Sequence, residues 1–207
     1  MAFDSVKRIL LPAANLPSIH YFCALLSGNC IIDVGEHFIK RSERNRARIM
    51  TSDGVMELTA QVAHANRPRQ PMRTMQLDYS KRWQKQHWGA LVAAYKASPY
   101  FDYYAPRLER FYTAEYDSLT KFNLALIAEL CAMLGIAPPP TTESYLTAMA
   151  EDLDLRPKQK GPAFLTEPYI QVFADRQPYV ANLSIVDLIF NEGPAALGVL
   201  RRCQPAW

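Results

Sequence analysis

Three short segments near the N-terminus restrict this chain more than anything that follows them. Arg8-Ile-Leu-Leu-Pro12 is an apolar run ended by a proline. Leu16 to Leu26 carries helical apolar spacing, enters through Pro17-Ser18 and stops at Gly28-Asn29, and Cys30 to Val34 is apolar again. A strand, a helix and a strand within roughly 30 residues make a βαβ unit, whose strands run parallel through a right-handed crossover. The turn after the first strand is then the expected ligand end. These residues predict an α/β fold: a small mixed sheet opened by the βαβ unit, with a largely helical C-terminal half.

The second half of that expectation comes from periodicity. Ala47 to Met50 and Val55 to Val62 flank Ser52-Asp-Gly54, a hairpin signal that predicts an antiparallel extension of the sheet. His64 to Met75 is proline- and arginine-rich and reads as a basic surface loop before a short strand at Thr74 to Leu77. Helices are expected over Trp83 to Ala97, Arg107 to Leu119, Leu119 to Leu134 with Gly135 as C-cap, and Thr142 to Met149. Asp154 to Glu167 reads as a polar loop, Tyr169 to Phe173 as a strand, and the C-terminal helices follow. No linker is long enough to divide the 207 residues, so one domain is expected.

Hydrophobic content of 49% with 21% charge is that of a chain able to bury a core. The longest apolar run, Leu124 to Ala137, is broken by Glu129 and falls short of a membrane span, and the N-terminus reads without a secretory leader, so a cytoplasmic protein is expected. The four cysteines have no Cys-x-x-Cys spacing and sit among apolar neighbours, which predicts buried thiols and no metal site. No pattern names a cofactor. Net charge is only +3, yet positive residues concentrate between Lys40 and Arg48 and between Arg67 and Lys85. An anionic small molecule such as a nucleotide-sugar is the expected partner, rather than a nucleic acid.

Five groups of residues are candidates for chemistry. Arg44, Arg46 and Arg48 alternate in an extended segment and would share one face, with Lys40 and Asn45 beside them; such a row can hold a phosphate or carboxylate, or serve as a solvated edge strand. On the helix from Trp83, His87 lies one turn from Trp83, and Gln84 one turn from Trp88. His87 is thus a candidate acid or base, or a ring packed on Trp83 that donates to a backbone carbonyl. His20, in the first turn after Pro17-Ser18, is expected to be neutral because a helix N-terminus disfavours positive charge. Asp154 and Arg156, in an extended loop, can pair with the C-terminal helix, and Gln171, flanked by apolar Ile170 and Val172, needs a buried partner or a cleft. Finally, Asn182-Leu-Ser-Ile-Val-Asp-Leu-Ile-Phe-Asn-Glu-Gly-Pro194 reads as a helix with Ser184 as N-cap, Asp187 in capping-box position and a Gly-Pro stop; the cap leaves Asn191 and Glu192 unexplained.

Arg44 to Ile49, Trp83 to Trp88, Ser98 to Phe101, Asp154 to Arg156, Tyr169 to Phe173 and Leu183 to Gly193 together resemble the WbqC-like family, a bacterial group often found among surface-polysaccharide (O-antigen) biosynthesis genes. The resemblance implies a transferase that joins an amino acid, glycine in one suggestion, or another acyl group to an activated sugar. His20 stands where relatives carry glycine in a Pro-x-x-Gly-Tyr-Phe pattern. That turn faintly resembles a nucleotidyltransferase His-x-Gly-His turn but lacks its paired histidines. Under this reading His87 or His20 manages a proton, the row Arg44, Arg46 and Arg48 holds the anionic part, Asn191 with Glu192 orients the acceptor, and Gln84, Trp88, Arg156 and Gln171 complete the site. The alternative is a non-catalytic binding or scaffold protein that holds a nucleotide-sugar or a partner enzyme.

Overall fold

The computed structural model describes residues 8–63, 69–157 and 164–205. Strand β1 (Ile9–Pro12) leads through helix α1 (Ile19–Ser27) to β2 (Cys30–Asp33), and β3 (Arg46–Thr51) and β4 (Gly54–Thr59) follow as a hairpin. A 3-10 turn (Met72–Thr74) precedes α2 (Trp83–Tyr95), α3 (Phe101–Thr113) and α4 (Leu119–Leu134). Short strands β5 (Thr141–Thr142), β6 (Leu153–Asp154) and β7 (Phe164–Leu165) lead to α5 (Ile185–Glu192), α6 (Ala196–Arg201) and β8 (Gln204–Pro205).

The βαβ reading holds residue by residue. β1 and β2 pair in parallel from Ile9↔Cys30 to Pro12↔Asp33, and all four residues of β1 are buried, as befits a strand covered on both faces. β5 adds to β2 and β6 to β1, both in parallel, giving the order β5-β2-β1-β6. The chain progresses outward from β1 through β2 to β5, then crosses back to β6 on the other side. β1 and β6 therefore border the point at which the strand order reverses.

Several expectations need correction. The hairpin is antiparallel about Asp53-Gly54, but it forms its own two-stranded ribbon packed against α2 instead of extending the sheet. Thr74 to Leu77 is not a strand; it continues a 3-10 turn, and only Leu77 makes a bridge, to Val62. Thr142 to Met149 is not helical, because Thr141 and Thr142 are drawn into the sheet beside β2. Tyr169 to Phe173 has no strand partner and ends in turns. α3 begins six residues before Arg107 and contains Pro106; the missing amide bond is offset by burying Phe101, Tyr104, Ala105, Leu108, Phe111 and Tyr112 along one face. α4 matches its expected limits, with Gly135 left-handed at φ 70°. Parts of the expected basic loop (64–68) and polar loop (158–163) lie outside the described residues.

Among the cysteines, only Cys30 and Cys131 are buried free thiols as expected. Cys23 on α1 and Cys203 after α6 form a disulfide with Cα atoms 6.0 Å apart, inside the span such a bond accepts. Spacing along the chain gave no warning of it, since the two are 180 residues apart. Among the described residues no helix is long and apolar enough to cross a membrane.

Candidate functional site

A cleft of about 360 Å³ opens where the sheet order reverses, beyond the C-terminal ends of β1 and β6. This is the position at which open parallel sheets bind ligands. Leu11 and Pro12 of β1 and Leu155, Arg156 and Pro157 after β6 form its base; Ser18, His20 and Tyr21 come from the start of α1. The segment 41–48 and Glu57 make one wall, and Asn182 and Ser184 close the other side.

The starts of α1 and α5 meet here and cap one another. Ser18 and Ser184 pair as an antiparallel bridge: the Ile19 amide donates to the Leu183 carbonyl (2.9 Å) and the Ile185 amide to the Pro17 carbonyl (2.8 Å). Asn182 Oδ1 accepts from the His20 amide at 2.9 Å, and the Ser184 amide donates to the Arg48 carbonyl of β3 at 2.7 Å. With the Ile19, His20 and Tyr21 amides all engaged, α1 offers no free amide nest to a phosphate. Both helix dipoles nevertheless point their positive ends at the cleft. Backbone strain gathers in the same place. Of the described non-glycine residues with positive φ, Leu16 (41°), Arg41 (54°) and Asn182 (56°) line the cleft, and Arg69 does not. Left-handed non-glycine residues cost stability and collect at functional sites.

The arginines divide into two kinds. Arg44 is 1% exposed; its Nε donates to Glu36 Oε1 at 2.9 Å, its Nη2 pairs with Glu36 Oε2 and also donates to the Arg156 carbonyl at 2.8 Å. Arg156 is likewise consumed, by Asp154 (2.8 and 2.7 Å), by fully buried Asp33 and by the Leu146 carbonyl, with its guanidinium over the Tyr145 ring. Arg46 and Arg48 do share a face of β3, as alternation predicts, and Arg46 pairs with exposed Glu57. Arg41 and Arg48 are exposed on the cleft wall and make no ion pair among the described residues. Glu43 beside them is raised above the ordinary carboxylate range, by desolvation first, against the Ser18 hydroxyl and the charges of Arg44 and Arg48.

Three cleft-lining side chains, His20, Ser184 and Arg46 (at Nε), hold a buried polar atom without a partner among the described residues. His20 is 8% exposed and Ser184 1% exposed; neither His20 Nε2 nor Ser184 Oγ has a hydrogen-bond partner among the described residues. Burial pushes the His20 pKa down to about 4, so the ring is neutral near pH 7, as expected, though the cause is desolvation.

The WbqC-like protein family matches residues 13–160, a span that begins just after β1 and takes in α1, β2, the arginine segment and the strand leading to Arg156. The chain belongs to the WbqC-like protein family. It is also 36% identical to an uncharacterised protein of Mycobacterium tuberculosis, Rv1507c, over 235 aligned positions that cover 96% of this chain and all of the relative. No solved structure matches. In this WbqC-like chain α5 lies past the end of the family match, yet Ser184 at its start lines the cleft.

The WbqC-like cleft gathers His20, Arg44, Arg46, Arg48 and Arg156 from the sequence candidates and leaves the others elsewhere. His87 lies in the core, edge-on to Trp83 with ring centroids 5.1 Å apart, its pKa pushed by burial to about 4 against the pull of the Thr59 carbonyl. Gln84 ties α2 to the end of α3 through the Phe111 and Ala114 carbonyls, and Trp88 stacks between Phe101 and Tyr112. Asn45 closes the hairpin on the Ala60 carbonyl, Lys40 is exposed outside the cleft, and Gln171 and Asn191 bond to Asp187. Glu192, half-buried at the end of α5, is also outside. Arg41, Asn182 and Ser184 were not among the expected site residues. Arg41 sits inside the basic segment the sequence singled out, but Ser184 reads locally as an ordinary cap. Its side chain makes no cap bond.

The histidines carry a pH prediction. A folded-state pKa of about 4 for His87, against an ordinary 6.5, means that only the unfolded chain takes up its proton between those values. That contribution is intact above pH 6.5 and lost as pH falls toward 4. At about 1.4 kcal/mol per unit it amounts to about 3 kcal/mol. Denaturant titrations at pH 7 and 4.5 should show a smaller difference for His87→Asn than for the parent, and equal differences would show the ring to be accessible to protons in the folded state.

Proposed function

We propose that this protein binds an anionic sugar derivative, of the nucleotide-sugar kind, in the cleft at the β1/β6 switch point and acts there as a group transferase of surface-polysaccharide biosynthesis. The observation that carries the binding half is the pair of exposed guanidinium groups, Arg41 and Arg48, which make no ion pair among the described residues, on the wall of a cleft that already receives two helix N-termini. Arg46 joins them when the ligand competes with Glu57. The transfer half rests on membership of the WbqC-like family and on the implication that its members hand an amino acid or other acyl group to a sugar. In that reaction His20, neutral and already in the cleft, is the residue to accept a proton from the acceptor, a task for which the adjacent anion would raise its basicity.

A second reading, in which the cleft binds the same ligand without reacting it, is favoured by the low pKa of His20, since a general base works best with a pKa near the working pH. Both readings stand or fall first on binding. In a thermal-shift and calorimetric panel of nucleotides, nucleotide-sugars and sugar phosphates, the parent should be stabilised by at least one anion. Exposed Arg48→Ala should keep the parent's own melting temperature but lose about 10- to 100-fold in affinity, the loss expected for a charged hydrogen bond. A parent indifferent to every anion, or an Arg48→Ala variant that binds as well, sinks the proposal.

A further inference from the structure

Buried polar groups in folded proteins are almost always paired. His20 Nε2 and Ser184 Oγ are exceptions that face the same cleft, and they come from segments 160 or more residues apart that the Ser18–Ser184 bridge and the Asn182 cap lock side by side. Neither is explained by folding: Ser184 caps α5 without using its hydroxyl, and the ring of Phe164 stands 6.1 Å from that of His20 without bonding its nitrogen. Both bring hydrogen-bonding capacity without charge. The charged capacity of the cleft is on other residues, Arg41 and Arg48.

We infer that His20 and Ser184 form an inner subsite that recognises an uncharged hydroxyl of the ligand, and that the cleft therefore selects a polyhydroxylated phosphate ester, a sugar phosphate, over a bare anion. The inference rests on the anion-binding reading above and adds its substrate class. A hydroxyl is the group that fits, because it donates and accepts at once and can satisfy a neutral imidazole nitrogen and a serine hydroxyl together. An anion at that end would face the Glu43 carboxylate, which already draws on the charges of Arg44 and Arg48. Leu11, Leu16 and Leu155 give the apolar wall on which the carbon face of a sugar ring rests.

Calorimetric titration tests this with inorganic phosphate and with the 1-phosphates of glucose, galactose and glucosamine, on the parent, Ser184→Ala and His20→Phe. The parent should bind at least one sugar phosphate more tightly than phosphate. Ser184→Ala should narrow that preference about tenfold, the equivalent of one hydrogen bond, while leaving phosphate affinity unchanged. Because Ser184 Oγ has no partner among the described residues, its removal costs none of their hydrogen bonds, and His20→Phe gives the second, ring-conserving check. If phosphate binds through Arg48 but no sugar phosphate is preferred, or both variants weaken phosphate and sugar phosphates alike, the hydroxyl subsite is wrong and the anion site survives. If the parent binds none of the four probes, the anion site itself falls and takes the subsite with it.

Discussion

Arg44→Ala is expected to lose about 3–5 kcal/mol of folding stability, although Arg44 reads in the sequence as the first member of an exposed binding row. The reason is what the variant leaves behind. Glu36 is 3% exposed and gives both carboxylate oxygens to Arg44, so removing the guanidinium strands a carboxyl group that burial already pushes up to about 7 despite the pull of Arg44. The Arg156 carbonyl also loses a donor. Replacing both partners with apolar residues, Arg44→Met with Glu36→Leu, should recover most of the loss, because a buried ion pair is costly to break and cheap to replace. Urea unfolding of the single and double variants decides it, and a single variant within 1 kcal/mol of the parent would mean that Glu36 reaches solvent. A loss of ligand binding in Arg44→Ala would say nothing about contact with the ligand unless the fold is shown to survive.

Asp187→Ala should cost about 2–4 kcal/mol. Its fully buried carboxylate accepts from Tyr95 (2.8 Å), Tyr169 (2.6 Å), Gln171 (3.3 Å) and Asn191 (3.4 Å). Hydrogen bonds to a charged group are worth about 1.5–3 kcal/mol each, and the sum overstates the loss because burial works against the charge and raises the Asp187 pKa. Tyr95 extends the network to the Met50 amide at 3.1 Å, so α2, α5 and β3 share one buried junction. Asp187→Asn keeps the shape and one acceptor and should fall between the parent and Asp187→Ala. Guanidinium unfolding is the measurement, and a loss below 1 kcal/mol in Asp187→Ala would show that the tyrosines find other partners.

Local rules made the core of the fold readable and the site only half so. The βαβ unit, the Asp53-Gly54 hairpin and α4 with its left-handed Gly135 follow from periodicity and turn chemistry, which act within a few residues. What failed depends on partners far along the chain. Thr141 and Thr142 are extended because β2 needs a neighbour, and Tyr169 leaves the strand pattern because its hydroxyl is claimed by Asp187. Asp187 itself sits in capping-box position, yet its side chain turns inward to the tyrosines. The arginine row was legible as an alternating pattern, but no pattern tells a guanidinium facing Glu36 from one facing water. Arg41 lies in the basic segment, but what sets it and Asn182 apart is positive φ, a property of three-dimensional context.

The reciprocal capping of α1 and α5 also sets an order of assembly. The His20 amide waits for Asn182, 162 residues later, and closing so long a loop is slow because its entropic cost precedes any reward. A chain made from its N-terminus can pair β1 with β2 early, but it carries an open α1 start until almost all of its length has emerged. The cleft is thus a late part of this molecule to come into being, and a product cut short before Asn182 has the βαβ unit without the complete site.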